Sequence, residues 1–408
     1  MKILFLSDVP LQNPTSGSEQ VLYQQAMGLA LEGNSVFAIT RANRFSESIE
    51  FNQYDNLQDA CYSVNTNNLF LSLLTILRWP PQLLDKFRNA MPFSLAISHQ
   101  PLTCFSLILS GKLKKMPLLY VCHSPSHLEY ELLNERRTSF RYWPQVIMRK
   151  WIESLCLKKS SIIMVLSRYM KQKIQHIHQL TTNNVVVNPG GVDLKIFRPL
   201  GNRKQIKNEL SLPENKIHLL TIRNLEPRMG VDNLIRSIEI LKRDGKFIHL
   251  TICGDGPEKN YLKKVIHELN LIKEVTLTGF VPSELLPKFY NAADFFILPT
   301  SKLEGFGLVT PESMACGTPV IGTPVGGTKE VLSNFDYNFL CRDSSPEAIA
   351  DGIRKILKRY FADQKNYENL RVRCKEYAKN NYSWQRHISQ LNTLINKTIG
   401  TYHCKNSN

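Results

Sequence analysis

The cysteines of this chain of 408 residues have the make-up of neither a disulfide framework nor a metal cage. All nine are scattered, mostly in apolar strings such as Leu119-Tyr-Val-Cys122 and Leu250-Thr-Ile-Cys253, with no Cys-x-x-Cys pair and no metal-ligand spacing. They are expected to be reduced core residues of a cytosolic protein. No apolar run approaches the ~18 to 20 residues needed to cross a bilayer. The opening Met1–Ser7 is too short for a signal peptide and is stopped by Asp8 and Pro10, so it reads as a first strand. A Gly-x-Gly-x-x-Gly dinucleotide fingerprint is missing from the first strand-to-helix turn, and no repeat or low-complexity tract is present. Acidic residues are few: 35 Asp and Glu stand against 51 Lys and Arg, a formal net charge of +16.

That charge is concentrated. Residues 111–180 hold thirteen Lys and Arg against four Glu, interleaved with Tyr130, Phe140, Tyr142, Trp143 and Trp151. Basic residues among aromatics suit an anionic membrane surface or an anionic acceptor, while a solvated basic face is the plainer account. Nucleic acid is not expected, because no nucleic-acid motif accompanies the charge.

The length accommodates two domains, each with its own core. Both halves begin with a buried strand, a glycine-containing turn and a helix, which predicts two α/β Rossmann-like halves. In the first, strands are expected at 2–7, 36–40, 95–98, 117–122 and 161–167; in the second, at 218–222, 248–253, 275–281 and 295–298. The run Leu69–Trp79 reads as a buried helix broken by Pro80-Pro81, rather than as a hydrophobic surface for a lipid-linked acceptor. Phe197-Arg-Pro199 opens a polar linker, and residues 346–398 are helical in pattern.

The most informative stretch is Glu304-Gly-Phe-Gly-Leu-Val-Thr-Pro-Glu312. It follows the strand Phe295–Leu298, and Thr310 reads as an N-cap with Pro311 as the first helical residue. Glu312 then lies in a first helical turn, where it is expected to stay ionised and to accept from neutral hydroxyls such as a ribose edge. Gly305 and Gly307 let the backbone approach a ligand, and Glu304 adds a second acceptor. Two carboxylates could also be a glycosidase acid and nucleophile, but the spacing alone says little. Ligands of open α/β sheets gather at strand C-terminal ends, which places His123, after the strand 117–122, and His99, after 95–98, among the candidates.

The full string resembles the E-x7-E signature of retaining GT-B glycosyltransferases, family 4. Gly17-Ser18-Glu19, His123-Ser-Pro125, Ser167-Arg168, Gly190-Gly-Val-Asp193, Arg223–Gly230 and Gly254-Asp-Gly-Pro257 resemble further family motifs. The resemblance covers nearly the whole chain, most strongly 216–332 and most loosely 41–93. It implies a GT-B fold: two Rossmann-like domains facing a central cleft. These are an acceptor-side domain over 1–198, a donor-nucleotide domain over 199–378, and a C-terminal helix over 379–408 crossing back to the first.

The resemblance also implies the site. His123 faces the transferred sugar, with Gly17 and Ser18 opposite the donor phosphates. Glu304 and the N–H groups of Phe306 and Gly307 hold the sugar, Leu308 and Val309 offer N–H groups to the diphosphate, and Glu312 takes the ribose. Gly254 and Phe280 lie towards the nucleotide. The family's phosphate-gripping Arg and Lys are replaced here by Asn224 and Met229, so Arg223 and Arg228 are expected to supply that charge.

The implied activity is metal-independent transfer of a sugar from a nucleotide-sugar donor to a glycan, lipid-linked or small-molecule acceptor, with no cofactor. The chain lacks an Asp-x-Asp string, in agreement with that. The expected setting is cytoplasmic, with peripheral attachment to the inner face of the cytoplasmic membrane. A catalytically impaired sugar-nucleotide-binding or scaffold protein, suggested by Asn224 and Met229, and a GT-B epimerase or phosphorylase are the alternatives.

Overall fold

A computed structural model describes residues 1–42, 49–64, 69–88, 92–134, 142–181, 184–360 and 363–406. Arg136, Arg137, Phe140 and Arg141 of the basic segment, and the side chains of 69–71, lie outside what is described. The chain forms two compact units: residues 1–189 with 384–408, and residues 190–383.

The first unit is built on eight strands: β1 (Lys2–Leu6), β2 (Ser35–Arg41), β3 (Glu50–Tyr54), β4 (Leu57–Tyr62), β5 (Leu95–Ser98), β6 (Leu118–Cys122), β7 (Ile162–Val165) and β8 (Val185–Val187). They pair in the order β3-β4-β2-β1-β5-β6-β7-β8, parallel except for β3 against β4. Strands β1, β5, β6 and β7 are buried along their whole length. Unbroken runs of Ile, Leu, Val and Phe are what a parallel sheet covered on both faces requires.

The second unit holds β9 (Ile217–Ile222), β10 (Ile248–Cys253), β11 (Val275–Gly279), β12 (Phe295–Leu298) and β13 (Val320–Gly322). Their order is β11-β10-β9-β12-β13, all parallel, which is a doubly wound α/β sheet. Both units are thus the Rossmann-like α/β layers that the sequence predicts.

The last helix, Trp384–Asn406, returns to the first unit. Ile388 fills the space that Gly28 leaves on the helix Gly17–Leu31, where a Cβ would come within 2.7 Å of it. His387 Nε2 meets Gln25 Nε2 at 2.9 Å, and its Nδ1 lies 2.6 Å from the carbonyl of Pro189.

The units divide at 189/190 and 383/384, whereas the sequence reading sets boundaries at 198/199 and 378/379. The reason is a clasp in the second unit: Val192 N donates to Tyr382 O (2.6 Å), and Val192 bridges Ser383. Arg198 and Leu200 are held by Asn291 through 2.9 and 3.0 Å bonds.

One expectation is overturned. The helix of Leu69–Arg88 is not ended by Pro80-Pro81 and is buried on one face only; it runs through both prolines, buries Ile76, Leu83 and Leu84, and leaves Leu73, Leu74 and Leu77 exposed. A proline at 81 orphans the carbonyl of residue 77. Here the Ser106 hydroxyl donates to Leu77 O (3.3 Å) and compensates for the loss. The eight cysteines whose side chains are described are all buried and free.

Candidate active site

In an open α/β sheet, ligands bind beyond the strand C-termini where the strand order reverses. In the second unit that place lies between β9 and β12, whose ends lead into Arg223 and into Pro299–Glu304. Arg223 Nη2 donates to Glu304 Oε2 at 2.6 Å and to Thr300 Oγ1 at 3.2 Å, and Thr300 Oγ1 donates to the same carboxylate oxygen at 3.0 Å. Both charged side chains are nearly enclosed, 6% and 10% exposed.

The exit loops of β9 and β12 form one piece. Ser301 N (2.9 Å), Lys302 N (3.2 Å) and Ser301 Oγ (3.0 Å) all donate to Arg228 O, while Arg228 Nη1 donates to Leu303 O (2.9 Å). Leu303 is buried at φ +52°, a left-handed conformation immediately before Glu304. Gly230 at φ +65° closes this turn: a Cβ there would stand 2.2 Å from Pro299 O. On the other side Gly326 opens the helix Gly326–Asp336 at φ +58°, where a Cβ would stand 2.0 Å from Glu304 O. Gly327 N donates to that carbonyl (3.0 Å). The backbone of Glu304 is therefore fixed by close packing on both sides.

The arginines differ from expectation. Arg223 turns inward onto Glu304, with the Met229 thioether also against its guanidinium, so reaching a diphosphate requires breaking the ion pair. Asn224, like Pro227, is exposed in this turn. Arg228 bonds Glu226 through Nε (3.0 Å) and is more open than Arg223, 18% against 6% exposed.

The short helix of the signature spans Val309–Ala315, starting one residue before Thr310. Thr310 is not its cap: its hydroxyl is buried and bonds nothing, and Leu308 occupies the N-cap without a side-chain bond. Glu312 accepts from Tyr290 Oη at 2.9 Å. The expectation that Glu312 simply stays ionised is corrected here, because burial pushes its carboxyl up to about 7 against the opposing pull of the Tyr290 hydroxyl. The Phe306 side chain is buried and packs on Tyr382, ring centroids 5.6 Å apart, while Gly307 turns at φ +80°. Gly254 N donates to Gly279 O (2.8 Å), and Phe280 just beyond is 62% exposed, an unburied ring at the end of β11.

In the first unit the order reverses between β1 and β5. Asp8 accepts from Leu102 N (2.8 Å), Thr103 N (2.7 Å) and Thr103 Oγ1 (2.7 Å), fastening the end of β1 to the helix Pro101–Leu109. Gly17 and Ser18 begin the helix Gly17–Leu31 behind a capping box, in which Glu19 accepts from Thr15 N (2.6 Å) and Ser16 N (3.1 Å). Glu19 is thus used by the fold. His99 Nδ1 and His123 Nε2 are 3.0 Å apart, so His99 lies behind His123 and orients it. Burial pushes His123 down to about 4 and His99 well below its ordinary value, so both rings are neutral near pH 7.

Thr300 and Tyr290 escaped the sequence reading. Thr300 could have been found, since it lies just beyond a buried strand at the reversal point; nothing in Lys288-Phe-Tyr-Asn291 marks the Tyr290 hydroxyl.

Residues 202–381 match the family model described as Glycosyl transferases group 1, and residues 15–196 match Glycosyltransferase Family 4. The chain is similar to a D-inositol 3-phosphate glycosyltransferase of Corynebacterium glutamicum, 25% identical across 96% of this chain and 94% of that protein. Among solved structures it is similar to sucrose-phosphate synthase from Thermosynechococcus elongatus, with a TM-score of 0.81 at 20% identity over 98% and 100% of the two chains. It is also similar to Anabaena HepE in complex with UDP-glucose, with a TM-score of 0.74 at 16% identity over 97% and 100%. These structural likenesses establish the fold.

Proposed function

The chain belongs to glycosyltransferase family 4, with the GT-B fold, and from that premise we propose a donor and a reaction course for it. It is a glycosyltransferase of glycoconjugate biosynthesis. In our reading the donor is a nucleoside diphosphate sugar, transferred with retention and without a catalytic metal to a glycan, lipid-linked or small-molecule acceptor. The observation that carries this is the enclosed carboxylate of Glu304, held by Arg223 and Thr300 at the strand-order reversal of the second unit.

A carboxylate locked in that way is an oriented acceptor for sugar hydroxyls. Glu312 on the same segment accepts the ribose hydroxyls, and Phe280 offers a face to the base. Arg228 is the direct cation for the diphosphate, and Arg223 is a positioning residue acting through Glu304. Bond making and breaking balance without a protein base: the bond from the anomeric carbon to the phosphate oxygen breaks, the bond to the acceptor oxygen forms on the same face, and the acceptor proton passes to the departing diphosphate. Charge on that leaving group is stabilised by fixed donors rather than by a metal. Neutral His123, oriented by His99, is the sugar contact from the first unit.

The acceptor is anionic or lipid-linked. Supporting this are the basic 111–180 segment, the name of the inositol 3-phosphate relative, and the exposed Trp143, Ile147 and Trp151 of the helix Tyr142–Lys159 beside exposed Lys150. No helix among the described residues is long and apolar enough to cross a membrane, and surface attachment needs none.

The test is transfer from each common sugar nucleotide to phosphorylated and lipid-linked acceptors in the presence of a chelator, with the product anomer read by NMR. Retained configuration supports the reading. Inversion, or activity only with added metal, contradicts it, and binding without turnover favours the scaffold alternative.

A further inference from the structure

Three helices of the first unit bring a His, a Glu and a second His together in the interior, away from any residue given a role above. His127 lies in Ser126–Leu133, Glu153 in Tyr142–Lys159, and His178 ends Arg168–His178. Their residues are 5%, 1% and 4% exposed. One ligand atom from each lies within 4.8 Å of the others: His178 Nε2 is 3.2 Å from Glu153 Oε2, and His127 Nδ1 is 3.7 Å from the same oxygen.

Both contacts are ion-pair approaches to Glu153 that fall short of full hydrogen-bond geometry. His127 Nδ1 and both nitrogens of His178 are buried and have no hydrogen-bond partner. Buried polar atoms in that condition call for an unseen partner such as an ion. Around a four-coordinate zinc at ordinary Zn–N and Zn–O lengths, neighbouring ligand atoms stand about 3.3 to 3.6 Å apart. The two distances to Glu153 Oε2 bracket that range. Ser126 N donates to both carboxylate oxygens, at 3.2 and 3.3 Å, as the outer support of a ligating carboxylate would.

We propose that His127, Glu153 and His178 bind one divalent transition-metal ion of the zinc class, with water as the fourth ligand. Two imidazoles and one carboxylate favour such an ion over magnesium or calcium, which prefer all-oxygen shells. The ion would be structural, joining three helices. It takes no part in the transfer step, so it is independent of the donor reading.

The full chain is stripped with a chelator, dialysed against Zn2+, passed through a desalting column and analysed for metal by mass spectrometry, alongside Glu153→Gln and His178→Gln. One tightly held Zn2+ per wild-type chain is expected, with a melting temperature raised by the metal. Each variant should lower Zn2+ affinity by more than the roughly 10- to 100-fold that losing an outer-shell partner costs. A wild-type chain that retains no Zn2+, or variants that retain as much as the wild type, overturns the proposal. If the variants do not fold, titration of the wild-type chain with Co2+ decides: an intense four-coordinate visible spectrum saturating at one equivalent supports it, and a weak six-coordinate spectrum contradicts it.

Discussion

Arg223 Nη2 lies 2.6 Å from Glu304 Oε2, so the first residue beyond β9 holds the first acid of the signature beyond β12. An ion pair this enclosed is stabilising mainly in the sense that neither charge can be left alone. Removing one partner of such a pair typically costs about 3–5 kcal/mol. Arg223→Met and Glu304→Leu should each lower the unfolding free energy by that order in urea titrations. The double variant should recover part of the loss. Additive losses would show that the two charges are not coupled.

Glu312 predicts a pH signature. Its carboxyl is raised from 4.5 to about 7 in the folded state, so the folded chain holds this proton more tightly than the unfolded one. Its contribution is full below about 4.5 and is lost as pH rises to about 7, by about 3 kcal/mol. Relative to Glu312→Gln, which cannot titrate, wild-type stability should fall by that order between pH 4.5 and 8. A constant difference across this range contradicts the burial argument.

The same ionisation controls ligand affinity. If Glu312 accepts ribose hydroxyls, nucleoside diphosphate affinity should rise with pH through about 7 in the wild type and stay flat in Glu312→Gln. Isothermal titration at several pH values measures it, and parallel profiles in the two proteins would remove the ribose assignment.

Gly230 predicts a local steric effect. A methyl group there meets Pro299 O at 2.2 Å in a left-handed turn, so Gly230→Ala should destabilise by about 2 kcal/mol or more and displace the 301–303 loop. Donor affinity should fall with it. A variant of wild-type stability would mean that the two exit loops are not packed as described.

The exposed aromatic and basic face predicts surface attachment. Ile147→Glu with Trp151→Glu should abolish sedimentation with anionic phosphatidylglycerol vesicles and leave thermal stability nearly unchanged, because both side chains are more than half exposed. Equal binding by wild type and variant would remove the membrane from the account.

Much of the fold was legible because fully buried parallel strands advertise themselves as unbroken apolar runs, as in Leu118–Cys122 and Phe295–Leu298. The strands β3 and β4 were missed, although Asp55-Asn56 forms a two-residue turn between them and such turns favour these residues. The helix through Pro80 and Pro81 could not be foreseen, since its repair comes from Ser106, distant in sequence. In the candidate site, Glu304 and His123 were singled out from their places after strands and Glu312 from its place in a first helical turn. The inward turn of Arg223 was not, because it depends on Thr300 and Glu304, some eighty residues away. His127, Glu153 and His178 share no short spacing, so only the packing of three helices reveals them.

The measurement that bears most directly on the central claim is a thermal-shift screen of the purified chain with UDP, GDP, ADP and TDP and their sugars, without metal and with Glu312→Ala as control. Ligand that binds the native state raises its apparent stability by mass action. The account predicts a shift selective for one base, present without metal and lost in the variant. No shift with any nucleotide would contradict a donor site at the reversal point between β9 and β12.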